Sequence, residues 1–175
     1  MSMKRILRLT VASLVATQVP FLTAQSSFAQ SASAVASFQC KVVDNSYVTV
    51  AVSKNGTVSN PMIAWTTEEF SSAGFPPEQR CKDVTNRLNN VLSQNGGTLN
   101  SVYLTTGRVN RQTVLCAVNN TTSGCNENNL LFTLKQGNQP NKLLTTLSAA
   151  TGSPIQESGG QDYVPLQQVI QGLFK

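Results

Sequence analysis

Phe38, Cys40 and Val42 alternate with Gln39 and Lys41, the two-residue period of a half-buried strand. Val48, Val50 and Val52 alternate with Tyr47, Thr49 and Ala51 and predict a second strand. Asn45-Ser46 between the two, and Lys54-Asn55-Gly56 after them, are turn formers that make a hairpin the natural connection. A third strand is expected over residues 57–66, held at an edge or interrupted by Pro61, which has no N–H to give a neighbour. From Pro77 the period lengthens. Cys81, Val84, Leu88, Val91 and Leu92 fall on one stripe, with Glu78, Lys82, Asp83, Asn86, Arg87 and Asn90 on the other face, predicting an amphipathic helix over residues 77–94. Pro76-Pro77 suits its start and Asn95-Gly96-Gly97 its end.

The strand theme then returns. Residues 99–105 and 113–118 flank a hairpin loop, Thr106 through Arg111, and Leu130, Phe132 and Leu134 alternate in a last strand. A second helix is expected over residues 140–150 and a short one over 165–173, the latter with Leu166, Val169, Ile170 and Leu173 at helical spacing. No internal repeat is visible. The fold class is α+β: an antiparallel sheet of five or six strands, one amphipathic helix packed on a face, and one or two C-terminal helices. A small open barrel plugged by the helix is the alternative.

The first segment reads as an address. Lys4, Arg5 and Arg8 precede an apolar run over residues 9–22, and Ser27-Phe28-Ala29 follows. That order is the mark of a secretory signal peptide cleaved after Ala29. The run is about 14 residues long and holds Thr10, Thr17, Gln18 and Pro20, whereas a membrane span needs about 20 mainly apolar residues. The chain of 175 residues thus divides into a signal peptide over 1–29, a flexible start over 30–37, a disulfide-stapled domain over 38–151, a linker over 152–162 and a C-terminal helix over 163–175. The expected location is extracytoplasmic: periplasm, thylakoid lumen or secreted.

Charge changes with that division. Removing Lys4, Arg5 and Arg8 leaves 10 basic and 8 acidic side chains, so the net charge falls from +5 to +2. That is too little to hold nucleic acid, which demands many phosphate contacts at physiological salt. Asn, Gln, Ser and Thr supply 57 of the remaining 146 residues, so the surface is hydrogen-bonding more than ionic.

The 4 cysteines, Cys40, Cys81, Cys116 and Cys125, all lie beyond the leader, and an even count in an exported chain reads as two disulfides. Cys40 shares a strand face with Phe38 and Val42, while Cys81 shares the helix stripe with Val84 and Leu88. A helix lying on that sheet brings the two sulfurs together. Cys116 and Cys125 are close in sequence and would tie a polar loop to its strand. Cys40–Cys81 and Cys116–Cys125 are therefore the expected pairs.

With no His in the chain, Ser-His-Asp, Cys-His and His-containing zinc sites are excluded. No Gly-x-Ser-x-Gly, Ser-x-x-Lys or phosphate loop is present, so no catalytic residue, cofactor or metal is assigned. Glu68-Glu69 is an adjacent carboxylate pair of the kind that splits acid and base roles in glycoside cleavage, but neighbours on an extended chain face opposite ways. Trp65, Phe70, Phe75 and Tyr103 form either an aromatic platform or a buried cluster. Arg80 and Arg87 share a helix face, and Arg108 and Arg111 tip a hairpin; these four are the candidate surface contacts. The tripeptides starting at Asn55, Asn119 and Asn120 match the glycosylation pattern and mark exposed turns.

An ordered set of residues resembles one family. It comprises the exported leader, Phe38-x-Cys40, Trp65 and Phe70, Cys81-x-x-Val84-x-x-Arg87-Leu88, Gly97-x-Leu99, Gly107, Val114-x-Cys116, and Cys125 followed by Leu131-Phe132-Thr133-Leu134. Together these resemble the cyanobacterial circadian oscillating proteins, small exported proteins named for rhythmic accumulation. Phe70 stands where many relatives carry tryptophan, and Leu88 where an aromatic residue is common. The resemblance implies a disulfide-bearing extracytoplasmic domain, held loosely at a membrane surface, and brings no reaction or active site with it. The function expected is that of an exported, non-enzymatic domain of the cell envelope whose partner is an unknown envelope protein or an anionic membrane surface. A small His-independent hydrolase, or a protease inhibitor acting through the Arg108 loop, is the alternative.

Overall fold

The computed structural model describes residues 34–151, 155–158 and 160–174; the signal peptide expected over 1–29 lies outside them. Among the described residues, eight strands and three α-helices follow in the order β1 (Val35–Val43), β2 (Ser46–Ser53), β3 (Ile63–Trp65), α1 (Pro77–Gln94), β4 (Tyr103–Val109), β5 (Gln112–Val118), β6 (Leu130–Thr133), α2 (Pro140–Thr151), β7 (Gln156–Ser158), β8 (Gln161–Pro165) and α3 (Leu166–Gly172). The class is α+β. The strands form two antiparallel sheets, β1-β2-β3 and β6-β5-β4-β8-β7, where the sequence suggests a single sheet of five or six.

Both long hairpins close through two-residue turns. Val43 pairs with Ser46 and Val109 with Gln112, leaving Asp44-Asn45 and Asn110-Arg111 to make the bends with positive φ (47°, 60°, 51° and 66°). That left-handed pair matches the twist of the flanking strands; after glycine, Asn and Asp adopt it most readily. The second hairpin is tighter than the loop read from the sequence.

The chain expected to form a strand over 57–66 meets β2 in pieces. Val58 bridges Val52, Ser59 N–H donates to Ala51 O at 2.9 Å and Met62 N–H to Thr49 O at 2.9 Å. Pro61 has no donor for the continuous ladder, and the strand shrinks to Ile63–Trp65.

Helix α1 has the predicted limits. Pro76 stands extended at its cap and Pro77 at the first position, and Gly97, with φ 76°, closes the far end by donating to Leu92 O at 2.9 Å. Its inner side, Cys81, Val84, Thr85, Leu88 and Leu92, is buried. The face it covers on β2 is Thr49 and Ala51, not the three valines. Register decides this: Cys40 pairs with Thr49, and Cys40 is bonded to Cys81 of α1, so Val48, Val50 and Val52 point the other way. The short side chains let the helix approach closely. Thr49 Oγ1 accepts from Trp65 Nε1 at 3.0 Å and lies 3.3 Å from Thr85 Oγ1, so the buried hydroxyls and the indole satisfy one another.

The main core joins α1, α2 and α3 to both sheets, with Phe38, Trp65, Leu88, Leu104, Leu131, Leu144, Leu166 and Ile170 among its members. A small second cluster of Cys116, Val118 and Tyr163 packs with Tyr103 and Cys125. Within the segment read as a linker, Gln156 pairs with Tyr163 and Ser158 with Gln161, making a hairpin whose second strand adds to β4 through Leu104 and Val164. Tyr163 and Val164 are buried; two apolar residues are too few for periodicity to reveal.

Candidate functional site

The disulfides join Cys40 to Cys81 and Cys116 to Cys125, with Cα separations of 5.6 and 5.7 Å, the first pairing expected from the strand and helix faces and the second from closeness in sequence. The first fastens α1 to the sheet, and with it the helix surface that carries Arg80, Asp83, Val84 and Arg87. Residues three, four and seven apart share a helix face, and here that face forms one wall of a cleft.

Between β3 and α1 the chain makes a short 3-10 turn, Ser71–Ala73, closed by Phe75 N–H donating to Phe70 O at 3.0 Å. Arg80 holds this segment. Its guanidinium carbon lies 5.4 Å from the Trp65 ring centroid and 5.5 Å from that of Phe70, within the range of cation–π attraction. Nη2 donates to Thr67 O, and Nη1 to Thr67 Oγ1 at 3.5 Å. Nε is buried with no acceptor among the described residues. Loss of water pulls the Arg80 pKa below its ordinary value, with Glu68 and Glu69 acting against that pull; arginine stays charged in proteins.

Arg87, two turns along, is exposed and donates from Nη1 to Leu131 O at 2.7 Å, fastening α1 to the edge strand β6. Between the two arginines lies a cavity of about 310 Å³, lined by Phe70, Phe75, Asp83, Val84, Gln112, Leu130, Leu131, Phe132 and Thr133 as well as the arginines themselves. Phe132 also stacks edge-on to Trp65, with centroids 5.3 Å apart. Phe75 is 49% exposed, a large apolar side chain left open at the rim. Beyond Arg87 a smaller cavity of about 120 Å³ is lined by Asn90, Gln94, Glu127 and Asn128. Arg87, Leu130 and Leu131 line both cavities.

Of the residues singled out in the sequence, Arg80 and Arg87 meet in this cleft. Arg80 is a clamp rather than a free surface charge. Arg108 and Arg111 are exposed on the β4–β5 hairpin, and Gln112, the residue after Arg111, reaches the cavity. The four aromatic residues do not gather: Trp65 is buried, Phe70 and Phe75 line the cleft, and Tyr103 packs in the second cluster. The acidic pair diverges, with Glu68 accepting from Ser71 Oγ and Glu69 paired with Lys135 Nζ at 2.9 Å. Asn55 and Asn120 accept hydrogen bonds two residues ahead, at Thr57 N and Thr122 N, as expected of turns. Asp83, Gln112, Leu130 and Phe132 were not legible as site residues. The helix spacing points to Asp83, but the opposite wall comes from strands distant in sequence.

Among the described residues, no group of His, Cys, Asp or Glu is arranged to hold a metal ion, and no helix is long and apolar enough to cross a membrane. A family model, Circadian oscillating protein COP23, matches residues 37–171. No curated protein and no solved structure matches the chain significantly. The chain belongs to the circadian oscillating protein COP23 family.

Proposed function

We propose that this member of the family works outside the cytoplasm as a non-enzymatic binding domain of the cell envelope, recognising its partner through the cleft between α1 and β6. The carrying observation is the pair of disulfides, which consume all four cysteines; such bonds persist in oxidising compartments and are rare in a reducing cytosol. The leader read over residues 1–29 supports the same location. The cleft suits recognition because its charged groups are fastened to backbone and rings, as Arg80 is to Thr67, Trp65 and Phe70. Fractionation of the native host followed by intact mass tests this. The expected protein begins at Gln30, lies in an extracytoplasmic fraction, and gains four hydrogens on reduction. A cytosolic protein retaining Met1 with free thiols overturns the reading.

Peripheral attachment to an anionic membrane surface is the second reading, favoured by Arg108 and Arg111 standing exposed on one hairpin. Attachment of that kind is electrostatic and is released by a salt wash. Release by detergent alone overturns it.

A further inference from the structure

We propose that the cavity between Arg80 and Arg87 is a binding site for a small organic anion with an apolar or aromatic body, its acid group on Arg87 and its body against Phe70, Phe75 and Phe132. This deepens the binding role assigned above to the α1–β6 cleft and rests on it.

Three observations carry the assignment. A volume of about 310 Å³ is that of a small-molecule pocket rather than a surface dimple. Its charge is lopsided. The lining sets Arg80 and Arg87 against one carboxylate, Asp83, whose Oδ1 already accepts from Gln79 Nε2 at 2.7 Å; Glu68 and Glu69 act on Arg80 from outside the lining, so Arg87 is the charge that a single added anion complements. The two arginines differ in what they offer. Arg80 is spent on Thr67 and two aromatic rings, whereas Arg87 uses Nη1 on Leu131 O, and no partner engages its remaining N–H groups among the described residues. A guanidinium anchored by one nitrogen presents its free edge in a fixed direction, which favours a planar carboxylate or sulfonate over a point charge. The body of the ligand then covers Phe75, which is otherwise half open to water.

The occupant is a free acid and not a lipid headgroup, since the half-open cleft offers Phe70, Phe75 and Phe132 to the apolar body as well as Arg87 to the acid, while a headgroup in a bilayer presents only its polar end. The Gln112 amide and the Thr133 hydroxyl, both at the cavity wall, supply orientation to the acid.

Fluorescence titration of the purified, oxidised full chain tests this with two probes of similar shape, anilinonaphthalene sulfonate and the uncharged phenylnaphthylamine. The sulfonate is expected to bind at least tenfold more tightly. Arg87→Gln is expected to weaken the sulfonate about tenfold, the cost of one charge-assisted contact, and to leave the neutral probe unchanged. Phe75→Ala, at a half-exposed position that the fold does not need, is expected to weaken both. Arg111→Gln is expected to change neither. Equal affinity for the two probes overturns the anion class while leaving a binding cleft. Absence of binding by either probe overturns the cleft reading with it. A loss in Arg111→Gln matching that in Arg87→Gln moves the site to the hairpin and overturns the assignment. Phosphatidylglycerol vesicles are expected not to displace the sulfonate, and displacement overturns the free acid.

Discussion

Gly107 lies directly under Cys125: a Cβ built on the glycine stands 2.9 Å from both Cβ and Sγ of that cysteine. The disulfide to Cys116 closes across β4 at this point, so the hairpin needs a residue without a side chain there. Gly107→Ala is expected to destabilise the protein by about 1–3 kcal/mol, the usual cost of overpacking. Gly124→Ala, which meets nothing within 4 Å, is expected to be neutral. Urea midpoints of the two variants check the contrast.

The two disulfides close loops of very different length, with separations of 41 and 9 residues. In the loop-entropy account they contribute about 4 and about 2.5 kcal/mol respectively. Replacing Cys40 and Cys81 together by Ala is expected to cost more than replacing Cys116 and Cys125, by roughly 1.5 kcal/mol, since the difference is set by loop length. Equal losses in denaturant unfolding would contradict this.

Asn89 lies on α1 yet behaves as part of β1. Its Oδ1 accepts from Phe38 N at 2.8 Å and its Nδ2 donates to Phe38 O at 3.0 Å, so one side-chain amide satisfies both backbone groups of an edge-strand residue. Asn89→Ala leaves a part-buried N–H and C=O without partners and is expected to cost about 1–3 kcal/mol. Hydrogen exchange at Phe38 should accelerate in the variant while exchange at Leu104 stays slow. Unchanged exchange at Phe38 would refute the strand-capping role.

Thr49→Val removes the acceptor for Trp65 Nε1 while keeping the shape of the side chain. An orphaned buried indole N–H is expected to lower stability by about 1–3 kcal/mol. The chain has one tryptophan, so the emission maximum reports this site alone. A spectrum and a melting curve identical to the parent would refute the bond.

Glu78, Lys82 and Tyr47 give the protein a pH signature. The salt bridge to Lys82, 2.5 Å away, and a hydrogen bond with Tyr47 hold the Glu78 pKa below its ordinary value. That contribution is present above the ordinary glutamate value and is lost as pH falls through the lowered one. Glu78 raises the pKa of Lys82 and Tyr47, so their contribution is present below their ordinary values and is lost as pH rises through the raised ones. Glu78 and Lys82 are exposed and Tyr47 is only half-buried, which keeps both effects small. Glu78→Gln is expected to flatten both limbs of the melting temperature against pH.

Local order was legible where one face or one turn decides the structure. The stripe from Cys81 to Leu92 and the flanking Pro and Gly residues specified α1 to its ends, because helix period and capping are properties of neighbouring residues. The Cys40–Cys81 pair was legible for the same reason, since each sulfur belongs to a face the pattern identifies, and the Cys116–Cys125 pair from its closeness in sequence. The β7–β8 hairpin was not, because short strands carry too few apolar positions to show a period. Nor was the inner face of β2: alternation shows that two faces differ, and only the Cys40–Cys81 bond and the register of β1 against β2 say which of them meets the helix.

For the cleft, sequence alone determined the helix wall, placing Arg80 and Arg87 on one surface two turns apart. Tertiary structure alone decided that Phe70 and Trp65 would enclose Arg80 while Leu131, 44 residues beyond Arg87 in the chain, would accept from Arg87. A helix face is set by contacts within a few residues, whereas a cavity exists only between surfaces that chain topology brings together.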